Sequence, residues 1–263
     1  MTSIERIRVI PCLLLSGEGL VKTSRFRKPV YVGDPINTVK IFNEKEVDEI
    51  AILDITASRK CAEPNFEKIA EIASECFMPM AYGGGISSVA QIRRILQSGV
   101  EKVILNSIFF RQPELVREAA DQFGSQSIVV SIDTKREWFG RYSVRSHGGT
   151  VKQKFDPTAA ATEAVRQGAG EILLNSVDRD GTYQGYDMEI LRKVTAAVSV
   201  PVIACGGAGK VEDFVSAVRD GGAAAVSAGS MFVFHGVHKA VLVSFPAESV
   251  LREQFFKICR KRV

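Results

Sequence analysis

Acidic residues close three apolar runs of this sequence, each where a carboxylate could move a proton. Asp54 ends "ILDITAS", Asp133 ends "SIVVSIDTK", and Asp178 and Asp180 follow "EILLNS" in "VDRDGT". A carboxylate at the end of a buried strand serves as general acid or base when its pKa lies near the working pH. Asp133 is the best candidate. Asp54 reads better as a loop cap, and the Asp/Gly turn in "DRDGT" suits Asp178 to a structural role. Glycines supply a second chemistry. Gly83, Gly84 and Gly85 follow one apolar run, and Gly206, Gly207 and Gly209 follow another. Asn106-Ser107 and Gly229-Ser230 follow two more. Glycine lets backbone N–H groups approach an anion, and the start of a following helix adds a favourable dipole. These clusters predict two phosphate grips.

Such residues need elements to hold them. Eight short apolar runs recur: "RVIPCLLL", "EIAILDITAS", "MPMAYGGGI", "KVILNS", "SIVVSIDTK", "EILLNSVDRDG", "VPVIACGGA" and "AAAVSAGS". Between them, segments such as 37–48, 66–76, 88–99 and 113–123 space apolar residues three and four apart, as amphipathic helices do. Continuous rather than alternating apolar strands predict parallel strands covered on both faces. Eight βα units in about 250 residues predict an α/β fold, a single (β/α)8 TIM barrel over residues 1–263. A doubly wound sheet would not need eight equivalent units, and no GxGxxG follows the first strand.

The chain also repeats itself. "YGGGI" (82–86) answers "CGGAG" (205–209), "LNS" (105–107) answers "AGS" (228–230), and "LLNS" echoes "ILDI". The offsets are near half the chain, which predicts a half-barrel internal repeat with two similar grips facing across one mouth. An elongated ligand with a phosphate at each end would fit. Under that repeat the partner of Asp133 lies at the end of the first strand. That position is Leu14, which cannot move a proton.

Composition excludes several classes. The 263 residues are 46% hydrophobic and 24% charged, which argues for a large core and against disorder. A net charge of +4 favours anionic small molecules and is too weak to argue for nucleic acid. Five cysteines without a CxxC fit a reduced, cytoplasmic protein. No run of about 18 apolar residues predicts a membrane span. His235 and His238 lack a third ligand nearby, so no metal and no cofactor is expected.

The strings "RVIPCL", "GDP", "LDITAS", "GGGI", "FGSQSIVVSIDTKR", "GAGEILLNSVDRDGT", "GYD" and "VPVIACGGAG" occur in order over residues 6–234. In these the chain resembles the HisF family, the cyclase subunit of imidazole glycerol phosphate synthase. The resemblance implies a barrel that binds a long bisphosphate and receives ammonia from a glutaminase docked beneath it. It implies phosphate contacts at Gly85, Asn106, Ser107, Asp180, Gly181, Gly207, Gly229 and Ser230, and a lysine, Lys22, on a mobile loop that closes over substrate. It implies a catalytic aspartate at Asp133. The other catalytic aspartate of the family sits in "CLD", and here that tripeptide is "CLL". Arg8, Glu49, Lys102 and Glu171, at strand starts, match the family's ring of charges that gates ammonia. The stretch "MFVFHGVHKAVLVSFP" departs from the family in lacking the usual amphipathic final helix. Its run 240–245 is expected in the core.

Two functions follow from that resemblance. In one, the barrel pairs with a HisH-like glutaminase and carries ammonia to a third, ATP-dependent amidotransferase that forms an acetamidino group on a surface-polysaccharide sugar. "IPCLLL", "YVGDPIN", "CFMP" and "FVFHG" resemble that branch of the family. In the other, the chain is a histidine-pathway cyclase with an altered acid, for which Glu18 is the available substitute. A sugar-phosphate isomerase on the same barrel would also want an acid at the end of strand 1. No nucleic-acid or membrane partner is expected.

Overall fold

The structure, a computed structural model, describes residues 7–60, 62–236 and 238–259. Eight strands form its centre: β1 (Arg8–Ser16), β2 (Ile50–Asp54), β3 (Met80–Gly83), β4 (Lys102–Leu105), β5 (Ile128–Arg136), β6 (Glu171–Ser176), β7 (Val202–Cys205) and β8 (Ala225–Ala228). Each pairs in parallel with the next, and β8 pairs with β1 at Arg8↔Ala225, which closes the barrel. Closure removes every edge from this part of the sheet.

Eight helices surround it: α1 (Pro35–Glu44), α2 (Phe66–Ser74), α3 (Val89–Gln97), α4 (Glu114–Phe123), α5 (Pro157–Arg166), α6 (Met188–Ala197), α7 (Val211–Arg219) and a last helix, α8, over 248–259. Local chemistry sets their starts. Asp34 caps α1 by accepting from the Asn37 backbone N–H at 2.8 Å, and Pro35 fits the first helical position. That cap starts α1 two residues before the position that apolar spacing predicts. Asp156 and Pro157 do the same for α5. Inner helix faces bury Ile69 and Ile72, Ile92 and Ile95, or Phe214 and Val215 against the outer barrel wall.

The expectation that 231–246 lacks the final amphipathic helix holds. The stretch 231–246 is indeed not that helix: it holds the end of a short helix, a small hairpin (Phe234–His235 with Ala240–Val241) and an extended tail. The helix follows it as α8, with Leu251, Phe255 and Phe256 buried. Phe255 packs edge-on against Phe214 at 5.8 Å, and a buried Phe is worth about 1.5–3 kcal/mol. The core expectation for 240–245 holds only for its second half. Val243 and Phe245 pack on the core, whereas Val241 and Leu242 are about half exposed. His235 and His238 are exposed there too.

Two β-ribbons rise from the C-terminal ends of β1 and β5. The first, Gly19–Ser24 with Arg27–Gly33, pairs antiparallel with β1 through Leu14↔Val21. The second, Tyr142–Ser146 with Val151–Lys152, pairs antiparallel with the end of β5 through Asp133↔Arg145. Because β1 and β5 are four strands apart in an eight-stranded ring, the ribbons rise from opposite sides of the mouth, and their turns meet where Phe26 lies against Gly149. Among the described residues no helix is long and apolar enough to cross a membrane.

Candidate functional site at the barrel mouth

The C-terminal ends of the strands surround a cavity of about 1150 Å³, solvent at its rim included. That is ample for a small elongated ligand. Residues of alternating parity on each strand point inward. On β1 these are Arg8, Ile10, Cys12 and Leu14, so the strand runs from a charge at the bottom to a leucine at the mouth.

Asp133 lies on β5, across the barrel from Leu14, and is 7% exposed. Asn106 donates through Nδ2 to Asp133 Oδ2 at 3.3 Å, and Ser131 Oγ lies 3.5 Å from Oδ1. Burial pushes the Asp133 pKa up to about 7; the Ser131 hydroxyl pulls it back and the charge on Asp180 adds to the rise. Such a group exchanges protons readily at neutral pH. Opposite it, Leu14 packs among Cys12, Leu53, Ile55 and Val21. Glu18, the possible substitute acid, is turned away: it pairs with Lys68 at 3.1 Å, with its side chain 74% exposed.

The other half of the mouth is organised by Asp180. Lys22 lies on the first strand of the ribbon, buried, rather than on a free loop. Its Nζ donates to Asp180 Oδ1 at 2.6 Å, and Thr23 Oγ1 donates to Oδ2 at 3.0 Å. The ribbon is therefore fastened to the turn after β6, where the Arg25 backbone N–H also donates to the Asp180 carbonyl at 2.9 Å. The Lys22 stem runs over Gly229, where an added Cβ would stand 3.0 Å from Cε. A cation is thus held beside the Gly229-Ser230 end of β8. Asp180 acts on this side by holding Lys22, and Gly181 continues the same turn.

The glycine clusters occupy matching positions on β3 and β7. Gly84 has φ +122°, and a Cβ there would meet the Asp54 carbonyl at 2.4 Å. Gly207 has φ +117°, and a Cβ would meet the Gly185 carbonyl at 2.2 Å. Only glycine fits either place. Beside them, Asn106-Ser107 and Gly229-Ser230 each lead into a short helix, Ser107–Arg111 and Ser230–Val233. The two halves of the mouth repeat each other, as the sequence repeat does. Asp54 accepts from the Thr56 and Ala57 backbone N–H groups at 2.8 and 3.0 Å, so it caps the turn Ala57–Lys60. Asp178 accepts from the Arg136 backbone N–H at 2.6 Å, a structural tie.

Three features of the mouth escape the sequence. Arg59 donates to the Gly148 carbonyl at 2.7 Å and brings a second cation to the β3–β4 side. The Cys12 and Cys205 thiols meet at the floor; Cys205 pulls Cys12 below its ordinary value and is itself raised. Asn175, the register partner of Asp133 on β6, is buried with Oδ1 lacking a donor. Strand parity, continued from Arg8 to Cys12, was the available signal for the thiol. Nothing local marks Arg59.

At the opposite end, four charges form a closed ring. Arg8 bonds Glu49 at 2.5 Å and Glu171 at 2.6 Å, and Lys102 bonds the same two carboxylates at 3.0 and 3.1 Å. Each charge has two opposite partners, so the desolvation of the buried Glu49 and Glu171 is offset. Between ring and mouth the interior is apolar and partly lined by small residues: Ala51, Ala81 and Ala225 beside Ile10, Val129 and Leu173.

A closed (β/α)8 barrel with paired glycine cradles over a charge ring defines the class. The family model of histidine biosynthesis proteins matches residues 8–238, and the chain belongs to that family. It is 52% identical over 241 residues to a protein of Pseudomonas aeruginosa provisionally named imidazole glycerol phosphate synthase subunit hisF2, covering 92% of this chain and 96% of that one. It is 48% identical to a similarly named HisF subunit of Leptospira borgpetersenii, over 92% and 95% of the two chains. A subunit of Vibrio vulnificus provisionally named hisF3 is also 48% identical, over 93% and 94%.

Proposed function

We propose that this chain is an ammonia-conducting barrel that pairs with a HisH-like glutaminase, and that its ammonia serves an amidation other than imidazole ring closure. Leu14 carries this reading. Ring closure in the family calls for two cooperating carboxylates, and Asp133 stands alone with a buried leucine opposite it. Loss of a general acid or base typically lowers rate by a factor of about 10²–10⁴. Glu18, held by Lys68 outside the mouth, offers no replacement.

The rest of the interior suits conduction. The ring of Arg8, Glu49, Lys102 and Glu171 is the proposed gate. Above it, the apolar lining favours neutral ammonia over ammonium, because an unpaired ion is costly to desolvate. Asn175 lines the mouth, and its buried Oδ1, beside Gly206, is an acceptor without a donor. The acceptor we propose is an ATP-dependent amidotransferase that forms an acetamidino group on a surface-polysaccharide sugar. The cradles at Gly85, Asn106, Ser107, Gly181, Gly207, Gly229 and Ser230, with Lys22, would hold a phosphorylated small molecule. We place this work in the cytoplasm.

The test reconstitutes the chain with glutaminase and that amidotransferase. Glutamine-driven amidation that is lost when the barrel is omitted supports the proposal. Enzyme-rate ring closure by the native chain on the family's bisphosphate overturns it.

A further inference from the structure

We propose that the two β-ribbons form a docking clamp on the mouth face for an acidic protein, the enzyme that consumes the ammonia. The inference rests on the preceding proposal, that ammonia leaves at the mouth. Residues 19–33 and 135–155 hold ten of the chain's 34 basic residues and one of its 30 acidic residues. The remainder of the chain is therefore net acidic, and the basic excess is concentrated on two structures flanking one opening. Among the described residues, no ion pair engages Arg25, Arg27 or Lys28 on the first ribbon, or Lys135, Arg141 or Lys154 on the second.

The same two structures expose large apolar side chains. Tyr31 is 65% exposed beside Val30 on the first ribbon. On the second, Trp138 is 85% and Phe139 99% exposed, and Phe139 holds φ +61° at the hairpin tip. Trp, Tyr and Arg are the residue types that anchor protein interfaces. Pro29 and Lys28 blunt the outer ribbon edge against strand addition, so a partner would be held by side chains.

This surface argues for a protein rather than a nucleic acid. The basic residues sit on two ribbons that meet over the mouth where Phe26 lies against Gly149, and the exposed Val30, Tyr31, Trp138 and Phe139 beside them offer the apolar contact that a protein interface buries. A clamp around the opening would also keep ammonia from escaping to solvent.

The test uses the chain complexed with its glutaminase and the amidotransferase. Trp138→Ser is compared with the Arg27→Glu/Arg141→Glu pair, with glutaminase pairing and thermal melting as folding controls. The expected result is a tenfold or greater loss of glutamine-driven amidation in each variant. Amidation from added ammonium chloride stays at the native level, and rising salt deepens the native complex's own loss. Native rates of glutamine-driven amidation in both variants overturn the clamp while leaving the conduit intact. No glutamine-driven amidation even with the native chain overturns the conduit and the clamp with it. Ribbon-dependent binding to anionic vesicles, a single-stranded oligonucleotide or a second copy, with amidation unaffected, also overturns the clamp.

Discussion

The two ends of the barrel show opposite relations between charge and partner. At the bottom, Arg8, Glu49, Lys102 and Glu171 form a ring in which every charge has two opposite neighbours within about 3 Å. At the mouth, Asp133 has only weak donors, its β1 counterpart is Leu14, and Asn175 Oδ1 has none. The bottom is a completed electrostatic unit; the mouth keeps paired glycine turns and sets a lone buried carboxylate opposite a leucine. A barrel selected for ring closure needs both ends complete. One selected for passage needs the bottom, the apolar interior and an exit.

The largest expected effect comes from breaking the ring. Glu49→Ala leaves Arg8 and Lys102 short of a partner, and loss of one member of a buried ion pair costs about 3–5 kcal/mol. Urea denaturation should show that loss, together with failure of glutamine-driven transfer. An unchanged midpoint would mean that the ring is dispensable.

Next, Gly207→Val forces a β-branched side chain into φ +117°, with its Cβ against a carbonyl. A loss of about 2–4 kcal/mol is expected, with inorganic phosphate binding weakened at least tenfold. Binding at the native level would remove this cradle from the site.

A third effect is smaller and depends on pH. The Asp133 carboxyl titrates near 7 when folded against an ordinary 3.8, so the folded protein binds this proton more tightly. Its contribution to stability is full below about pH 4 and is lost as pH rises toward 7, on the order of 1 kcal/mol per unit. Asp133→Asn should flatten that slope and stabilise the protein most above pH 7. A slope unchanged in the variant would assign it to other groups.

The smallest effect belongs to Glu18→Ala, which removes one exposed pair with Lys68. Stability should change by less than about 0.5 kcal/mol, and phosphate binding should not change. A loss of either would return Glu18 to the mouth.

Much of this architecture was legible in the sequence because it rests on local patterns. Apolar runs marked all eight barrel strands, and the glycine repeat marked the matching ends of β3 and β7. The ribbons were not legible. Their turns place Arg25 and Phe26 at φ +53° and +60°, and Phe139 and Gly140 at +61° and +73°, where hairpin turns usually show Asn-Gly. The location of α8 was hidden because its apolar residues follow an extended stretch of similar composition. In the site, Leu14 stood out because the repeat and the family pattern both assign an acid there. The Lys22–Asp180 bond joins residues 158 positions apart, and no local signal predicts it.

We propose that the mouth has lost ring closure while the conduit persists. Ammonia-dependent turnover of the family's bisphosphate substrate should be measured for the native chain beside Leu14→Asp. The native chain is expected to be silent and the variant measurably active, because Leu14 alone stands where the second acid is called for. Turnover by the native chain at an enzyme-like rate would contradict it.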